Sequence, residues 1–483
     1  MSKISKGFLW SGVEHFSVQG ISFILSIIIA RIVSPSSFGL IVMIQVFLSF
    51  SQVFIDGGFA TALIQKKDRT DVDYYTVFLF NMVVAICLYV AFFFAAPLIA
   101  YFYEEPQLTT LTRIVSLNLI LSSLSIVQRA KLTIELDFKT QTKAGLIAVI
   151  ISGLSGVICA YIGLEVWALV IQGLVSQFII SILLIRFTHW TPKLLFSTDS
   201  FKKMFSYGSK LMASNLITNI YINLANLIIG KKYTSVDLAY YNRGFTVSQF
   251  PSTNIAEIVN RIIFPVLTQL QDDRKKMIES YTKYLHLSNY IILPLMMLLI
   301  VLAHPLIEVV LTEKWLPTVP YIQIFSLNFM LYAVMQQTGN PVAAIGHSDI
   351  LLKFQIVKRI LSFAILIITI RISVTALCWG IFVSSVLEVI INMYVLKREL
   401  GIGFLNQVKP QIDVVLLVLL EGIFVYALTM IVENSYLQLT IGGTLGILVY
   451  LIATYIFNLR EKEMIIQWTH KIIERRDNKE LKN

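Results

Sequence analysis

Residues 7–65 read GFLWSGVEHFSVQGISFILSIIIARIVSPSSFGLIVMIQVFLSFSQVFIDGGFATALIQ. Two apolar runs, residues 10–30 and 38–64, are each long enough to cross a hydrocarbon core of about 30 Å at about 1.5 Å per residue. The turn that joins them, Arg31-Ile32-Val33-Ser34-Pro35-Ser36-Ser37, is short. Neither run is wholly apolar, since Glu14, His15, Gln19 and Asp56 lie inside them. A charged side chain at mid-bilayer costs about 2.5–3.5 kcal/mol on insertion scales, so such groups turn toward protein or a wet cavity. The stretch predicts a helical hairpin with a polar inner face.

The remainder of the chain has the same character. Its 483 residues are 56% hydrophobic and only 14% charged, against about a quarter charged in soluble domains. This predicts an all-α polytopic membrane protein. The first apolar run has no evident small-residue cleavage site and leads into a second span, so it reads as a retained helix and not a removed signal peptide. The net charge of +10 is mostly topology: roughly 32 of the 39 Lys and Arg fall on the side shared by Met1 and Asn483. The positive-inside rule then puts both termini in the cytoplasm, and no nucleic acid partner is implied. Cys87, Cys159 and Cys378 stand at no metal-ligand spacing and give no disulfide framework.

About 14 transmembrane helices fit, at roughly 10–30, 38–64, 74–100, 108–128, 144–163, 166–186, 210–230, 241–266, 284–303, 319–345, 350–371, 374–396, 412–432 and 437–457. The expected organisation is an N-terminal lobe (1–186, helices 1–6), an interfacial linker (187–209) and a C-terminal lobe (210–396, helices 7–12). Extra helices 13–14 (397–457) and a basic tail (458–483) follow. Within the tail, Ile465, Trp468 and Ile472 share one face, as in a helix lying on the membrane surface or a solvated tail. A shift of 200 residues lays helices 1–2 on helices 7–8: His15 meets Asn215, Gln19 meets Asn219, and Asp56 lies one residue from Glu257. Such a same-direction repeat predicts two six-helix lobes related by a pseudo-two-fold axis along the membrane normal, with the substrate between them.

Helix 7 carries Asn215, Asn219, Asn223 and Asn226 at steps of four, four and three, which is one helical face. Helix 1 echoes it with Gln19. The stripes read either as interhelical hydrogen bonds or as cavity walls that bind sugar hydroxyls. Glu14, His15 and Asp56 lie at comparable depth and are candidates for carrying a coupling ion, or for a structural ion pair. Glu257 joins them on helix 8, one turn from Arg261. Arg261, Arg113 and Lys210 are candidate anion contacts, or side chains that snorkel to an interface. Pro251, Pro294 and the run Gly339-Asn340-Pro341 mark bends in helices 8, 9 and 10. No Walker A sequence, HExxH, GxSxG or Cys/His cluster occurs, and the loops assigned to the outer side are short. No catalysis, cofactor or metal is expected.

The order Trp10, Ala30-Arg31, Ser34-Pro35, Phe38-Gly39, Gly57-Gly58-Phe59 and Ala62-Leu63-Ile64-Gln65 resembles the opening of the bacterial polysaccharide transporter family. Tyr240-Tyr241-Asn242-Arg243, Pro251, Asn260-Arg261 and Phe264-Pro265 continue the likeness. That family holds the O-antigen, capsule and exopolysaccharide flippases (Wzx-like) of the multidrug/oligosaccharidyl-lipid/polysaccharide exporter superfamily. The resemblance implies a secondary transporter in the bacterial inner membrane that flips an undecaprenyl-pyrophosphate-linked oligosaccharide by alternating access. Implied partners are the lipid-linked oligosaccharide, a proton or sodium ion, and contacts with a polysaccharide polymerase and glycosyltransferases. A multidrug exporter or a peptidoglycan-precursor flippase of the same superfamily, and a membrane glycosyltransferase, are the alternatives.

Overall fold

Lipid offers backbone groups no hydrogen-bond partners, so an apolar chain of this kind closes its bonds within helices. The computed structural model describes residues 3–457, with side chains from residue 17 onward except that of Ser348, and the described residues form no strand. The helices fall in two compact units, Met1–Asn242 and Arg243–Asn483.

Unit 1 contains α1 (Lys3–Ile32), α2 (Pro35–Asp56), α3 (Phe59–Gln65), α4 (Asp71–Tyr103), α5 (Leu108–Val115), α6 (Leu117–Ile134), α7 (Phe138–Tyr161), α8 (Val166–Thr188) and α9 (Thr198–Lys232). The division between the units falls within α10 (Ser235–Gln269). Unit 2 continues with α11 (Arg274–Val301), α12 (Ala303–Leu311), a 3-10 turn (Glu313–Thr318), α13 (Val319–Met330), α14 (Tyr332–Gln337) and α15 (Gly339–Ala344). It ends with α16 (Ser348–Thr369), α17 (Val374–Leu400), α18 (Phe404–Ile431) and α19 (Ser435–Ile456).

Each of the expected spans is helical. Eleven segments are long and apolar enough to cross a membrane. The three expected spans outside that set are α1, α10 and α16. The described part of α1 provides a shorter apolar helix, Ser17–Ile32. Helix α10 carries Asp237, Arg243, Glu257 and Arg261, and α16 carries Asp349, Lys353, Lys358 and Arg359, which lower their hydropathy. The expected tenth span is broken twice, at Leu331 and Thr338, whereas Pro251 and Pro294 sit inside unbroken helices. The expected surface helix at 462–476 lies outside the described residues.

The opening hairpin is built from local signals. Pro35 occupies the first turn of α2, where its missing N–H costs nothing. Ahead of it, the Glu165 carboxylate accepts bonds from the Ser34 N–H (3.1 Å), the Ser34 hydroxyl (2.9 Å) and the Ser37 hydroxyl (3.1 Å). This ties the α1–α2 junction to the α7–α8 turn. Along the seam between α1 and α7, Gly145, Gly153 and Gly156 let Val18, Leu25 and Ile29 approach closely. The α1–α2 junction recurs at α9–α10 with an offset of 200: Ile32 and Lys232 end one helix, and Pro35 and Ser235 start the next.

Helix α9 packs against α2, α3 and α4. The linker before it is anchored on α4. Trp190 stacks on Tyr75 with ring centroids 5.5 Å apart, and the Ser197 N–H donates to Thr76 Oγ1 at 3.1 Å. Beneath them the fully buried Asp73 accepts from Lys66 Nζ at 2.6 Å and closes a capping box with Thr70. Leu194, Leu195 and Phe196 remain exposed on the linker.

Between α2 and α3 the chain turns through Gly57 and Gly58 at φ 53° and 71°, a left-handed conformation that costs a side chain about 1–2 kcal/mol. A Cβ on Gly58 would stand 2.5 Å from the Gly208 carbonyl oxygen, and one on Gly208 2.7 Å from the Gly57 oxygen. Backbone therefore meets backbone, and α9 is pinned to the α2–α3 break. Gly163 has φ 84° and open space around it. Gly163→Ala thus carries the left-handed cost alone, while Gly58→Ala adds the collision. Thermal unfolding of the purified variants should show a larger loss of Tm for Gly58→Ala. Equal losses would mean that the Gly208 contact yields freely.

Candidate functional site

Unit 1 encloses a cavity of about 1000 Å³ walled by α2, α3, α6, α8 and α9, with Val115 of α5 at its edge. Its polar lining comes in stripes set by helical periodicity. Helix α2 contributes Gln45, Ser49, Gln52 and Asp56, at steps of four, three and four. Helix α6 contributes Asn118, Ser122, Arg129 and Thr133. From α8 come Ser176 and Gln177, and from α9 Asn215, Thr218 and Asn219. Among the described residues the remaining lining is aliphatic or glycine and alanine, with no aromatic side chain.

The stripes are partly knitted together. Ser122 Oγ donates to Gln52 Oε1 at 3.0 Å, joining α6 to α2. Ser181 Oγ donates to the Leu121 carbonyl at 2.7 Å, joining α8 to α6. Asn223 Nδ2 donates to Asn219 Oδ1 at 2.8 Å and holds that amide in place from one turn away. Other atoms have no bond among the described residues. Asn118 Oδ1 and Asp56 Oδ1, both buried, are such atoms, and so is Asn226 Oδ1 further along α9. A buried polar atom left unpaired costs about 1–3 kcal/mol, so a wall of this kind is primed for a hydrogen-bonding occupant.

Asp56 owes its position to the glycine break. It is the last residue of α2, where the Gly57 N–H closes on the Val53 carbonyl at 3.0 Å and the helix stops. Its carboxylate accepts the Ala60 N–H at the start of α3. One oxygen is thereby fixed and the other is free of hydrogen bonds. Arg129 is the cationic member of the lining, five residues before the end of α6. The cavity thus combines one carboxylate, one guanidinium and a majority of amides and hydroxyls.

The candidates named from sequence are distributed unevenly over the structure. Asp56, Asn215 and Asn219 line the cavity, and Asn223 supports Asn219. Gln19 is exposed on α1 and outside the lining. The side chains of Glu14 and His15 lie outside the described residues. Arg113 sits on α5 with its Nε donating to the Phe93 carbonyl at 3.2 Å and its guanidinium 4.5 Å from the Phe93 ring centre. Lys210 is exposed near the start of α9. Glu257 and Arg261 are exposed on the unit 2 portion of α10, where their neighbour Asn260 accepts from Asn340 Nδ2 at 2.5 Å.

Sequence reasoning missed Gln45, Ser49, Gln52, Asn118, Ser122 and Arg129. The signal was present: the α2 and α6 residues recur on a helical period as clearly as the asparagines of α9. Arg129 was counted among the basic loop residues that set topology, which hid its place on a helix face.

A family model described as polysaccharide biosynthesis protein matches residues 28–320. Two relatives share 25% identity. One is the teichuronic acid biosynthesis protein TuaB of Bacillus subtilis, with 83% of this chain and 85% of that protein aligned. The other is the lipopolysaccharide biosynthesis protein WzxC of Escherichia coli, with 83% and 82% aligned. Among solved structures, lipid II flippase MurJ in an inward closed conformation superposes with a TM-score of 0.78 at 16% identity, over 95% of this chain and 100% of that one. That superposition agrees with the all-α fold, and the sequence match, covering more than half of the chain, is what decides the family: this protein belongs to the polysaccharide biosynthesis proteins.

Proposed function

We propose that the protein is a secondary transporter that flips an undecaprenyl-pyrophosphate-linked oligosaccharide from the cytoplasmic to the outer leaflet of the bacterial inner membrane. The product serves surface polysaccharide assembly, whether O-antigen, capsule or exopolysaccharide. The observation that carries this reading is the unit 1 cavity, with its amide and hydroxyl stripes and unpaired buried atoms inside a membrane protein of this family. Sugar hydroxyls both donate and accept, and amide side chains answer both needs. Arg129 supplies the fork geometry that suits a phosphate oxygen pair. Both termini are cytoplasmic, and the two lobes expected from the repeat rock against each other to alternate access.

In this scheme Asp56 carries the coupling proton or sodium ion, because it is the carboxylate in the cavity wall and keeps one buried oxygen without a bond among the described residues. No bond is made or broken in the cargo, and the chain is not an enzyme. The lining formed by the described residues holds no aromatic side chain and one acid, whereas organic cations are held by ring faces and several acids. A polymerase and glycosyltransferases would meet the transporter at the membrane, since they supply and consume its cargo.

Lipid extracts from a strain lacking the gene should accumulate a pyrophosphoryl-linked oligosaccharide and lose surface polysaccharide, with both restored by the intact gene. An unchanged lipid-linked pool would remove the reading.

At the level of residues, Asp56→Asn should abolish transport at normal protein levels, and Arg129→Gln should weaken cargo binding by roughly ten- to hundredfold, the loss of about 1.5–3 kcal/mol for a charged hydrogen bond. Full activity in Asp56→Asn would exclude it from coupling. Unchanged affinity in Arg129→Gln would exclude the phosphate contact.

With the three native cysteines replaced, a cysteine at Asn219 should react with a membrane-impermeant thiol reagent, whereas one at the buried Ala225 should not. The reverse pattern would put the water-filled face of α9 elsewhere.

A further inference from the structure

Helix α18 holds an acid that the transport cavity does not use. Glu421 lies 17 residues into the helix that begins at Phe404, in a segment apolar enough to cross the membrane. It is fully buried, at 0% exposure, and neither carboxyl oxygen has a hydrogen-bond partner among the described residues.

The surroundings are shaped to admit the side chain. Helix α18 packs between α11 and α19. Gly446 of α19 faces Glu421: a Cβ there would stand 3.6 Å from Oε1 and 2.8 Å from side-chain atoms of both Leu298 and Val425. Beside it Gly422 admits Met297, whose sulfur would lie 2.7 Å from a Cβ at that position. A side chain at 446 would collide with Leu298 and Val425, the side chains that wall the carboxyl, while touching the carboxyl itself at ordinary contact distance. The wall is otherwise aliphatic, with Leu298, Leu302 and Val425 packed together.

No countercharge is supplied by the elements packed against this site. Helix α19 contains no charged residue. On α11 the last charged or imidazole group is His286, 11 residues before Met297. The phenols of Tyr290 and Tyr450 pack with Leu417 and Val418, and their own bonds go to Thr454 Oγ1 (3.0 Å) and the Tyr290 carbonyl (2.9 Å). Helix α17 meets α18 near its first turn, where Lys397 lies 5.6 Å from the Phe404 ring. On α18 itself Lys409 and the exposed Asp413 precede Glu421 by two turns or more.

An isolated carboxylate in an apolar interior is costly enough that the group neutralises instead. A proton does this without a partner side chain, and a bare metal ion would need several further oxygen ligands, none of which the aliphatic wall supplies. We propose that Glu421 is a proton-binding site whose occupancy is tied to the packing of α18 on α19 and α11. The proton stays while the three helices are closed. It leaves to water when they part, and the resulting carboxylate then opposes their closing. Because the packed state binds the proton and the parted state releases it, raising the pH favours the parted state.

The test uses the full chain in lipid nanodiscs and a Glu421→Gln variant, which keeps the shape without the ionisable group. The infrared difference spectrum between the two at pH 7 should show the carbonyl stretch of a protonated carboxylic acid, replaced by a carboxylate band as the pH rises. Over the same pH interval the Tm of the wild-type protein should fall relative to the variant by roughly 1–2 °C per pH unit, the effect of one proton on a protein of this size. A carboxylate band at pH 7, or Tm profiles that run parallel through the titration, would overturn the proposal. Should Glu421→Gln fold poorly, Gly446→Ala supplies the second arm. Its methyl displaces Leu298 and Val425 from the wall around the acid, so the pH at which the infrared band disappears should move, and an unmoved titration would also overturn the proposal.

Discussion

Backbone touches backbone where the α2–α3 break meets α9, and the cavity of unit 1 depends on that contact. Gly57 and Gly58 turn the chain in a conformation closed to ordinary side chains, and Gly208 lets the start of α9 sit directly on the turn. Three consequences follow from the same few atoms. Helix α2 ends at Asp56, which leaves the carboxylate at a helix terminus with one oxygen bonded to the α3 backbone. Helix α3 departs at a new angle and brings Ile64 and Ala60 into the lining. Helix α9 is held with its Asn215–Asn219 face toward α2. The aromatic group of Phe59, Phe80, Phe201 and Phe205 surrounds the contact and removes it from solvent.

Polar residues within the spans divide by whether the fold satisfies them. Along the α6–α8 seam, Ser181 and Gln177 find partners on α6, and these bonds hold helices together much as apolar packing would. In unit 2, Lys358 is nearly buried and answered by Glu388 and Asn392, each at 3.0 Å, so the charge on α16 is matched from α17. At the cavity the bookkeeping is left open, with Asp56 and Asn118 each keeping an unbonded oxygen. Polarity alone does not make the difference, since polar side chains occur in all three places. It lies in whether a neighbouring helix brings a complementary group to the same depth.

Much of this was legible in sequence, for identifiable reasons. Helices in lipid announce themselves by length and apolarity, so the spans of α2 through α8 could be placed to within about six residues, whereas α9 begins 12 residues before its expected span because its polar first turns, Thr198 to Ser209, give no hydropathy signal. The asparagine face of α9 followed from spacing alone, and the break at Gly57-Gly58 lies in a motif of the family. What sequence could not supply was the identity of the neighbouring helices. Gln19 of α1, read as an echo of the α9 face, stays outside the cavity lining, while the equally regular stripes of α2 and α6 turn in. A basic residue near a helix end satisfies the positive-inside rule whether it faces a headgroup or a cavity, which is why Arg129 was read as topology. The tenth span is predicted as one helix because Gly339 and Pro341 mark a single weak point. One break, at Thr338, falls directly before that point, where Tyr281 OH meets Thr338 Oγ1 (3.2 Å) and Gln337 Nε2 meets Ser288 Oγ (2.6 Å) across from α11, and a second at Leu331 carries no glycine or proline signal.

Three buried acids show how far surroundings, and not residue type, decide what a carboxyl does. Asp73 is enclosed but answered by Lys66, by the Thr70 N–H at 2.8 Å and by the Thr70 hydroxyl at 3.1 Å, so it is a cap that fixes the start of α4. Asp56 is answered on one side by the α3 backbone and keeps a buried, unbonded oxygen on the other, at the wall of the cavity. Glu421 has no hydrogen-bond partner among the described residues and sits against Gly446 among aliphatic side chains. Residue type does not separate the three, since Asp73 stands in a polar turn, Asp56 at the end of an apolar helix and Glu421 in a run of leucine and valine. Packing does: it makes the first a helix cap, places the second at a cavity wall and encloses the third among aliphatic side chains.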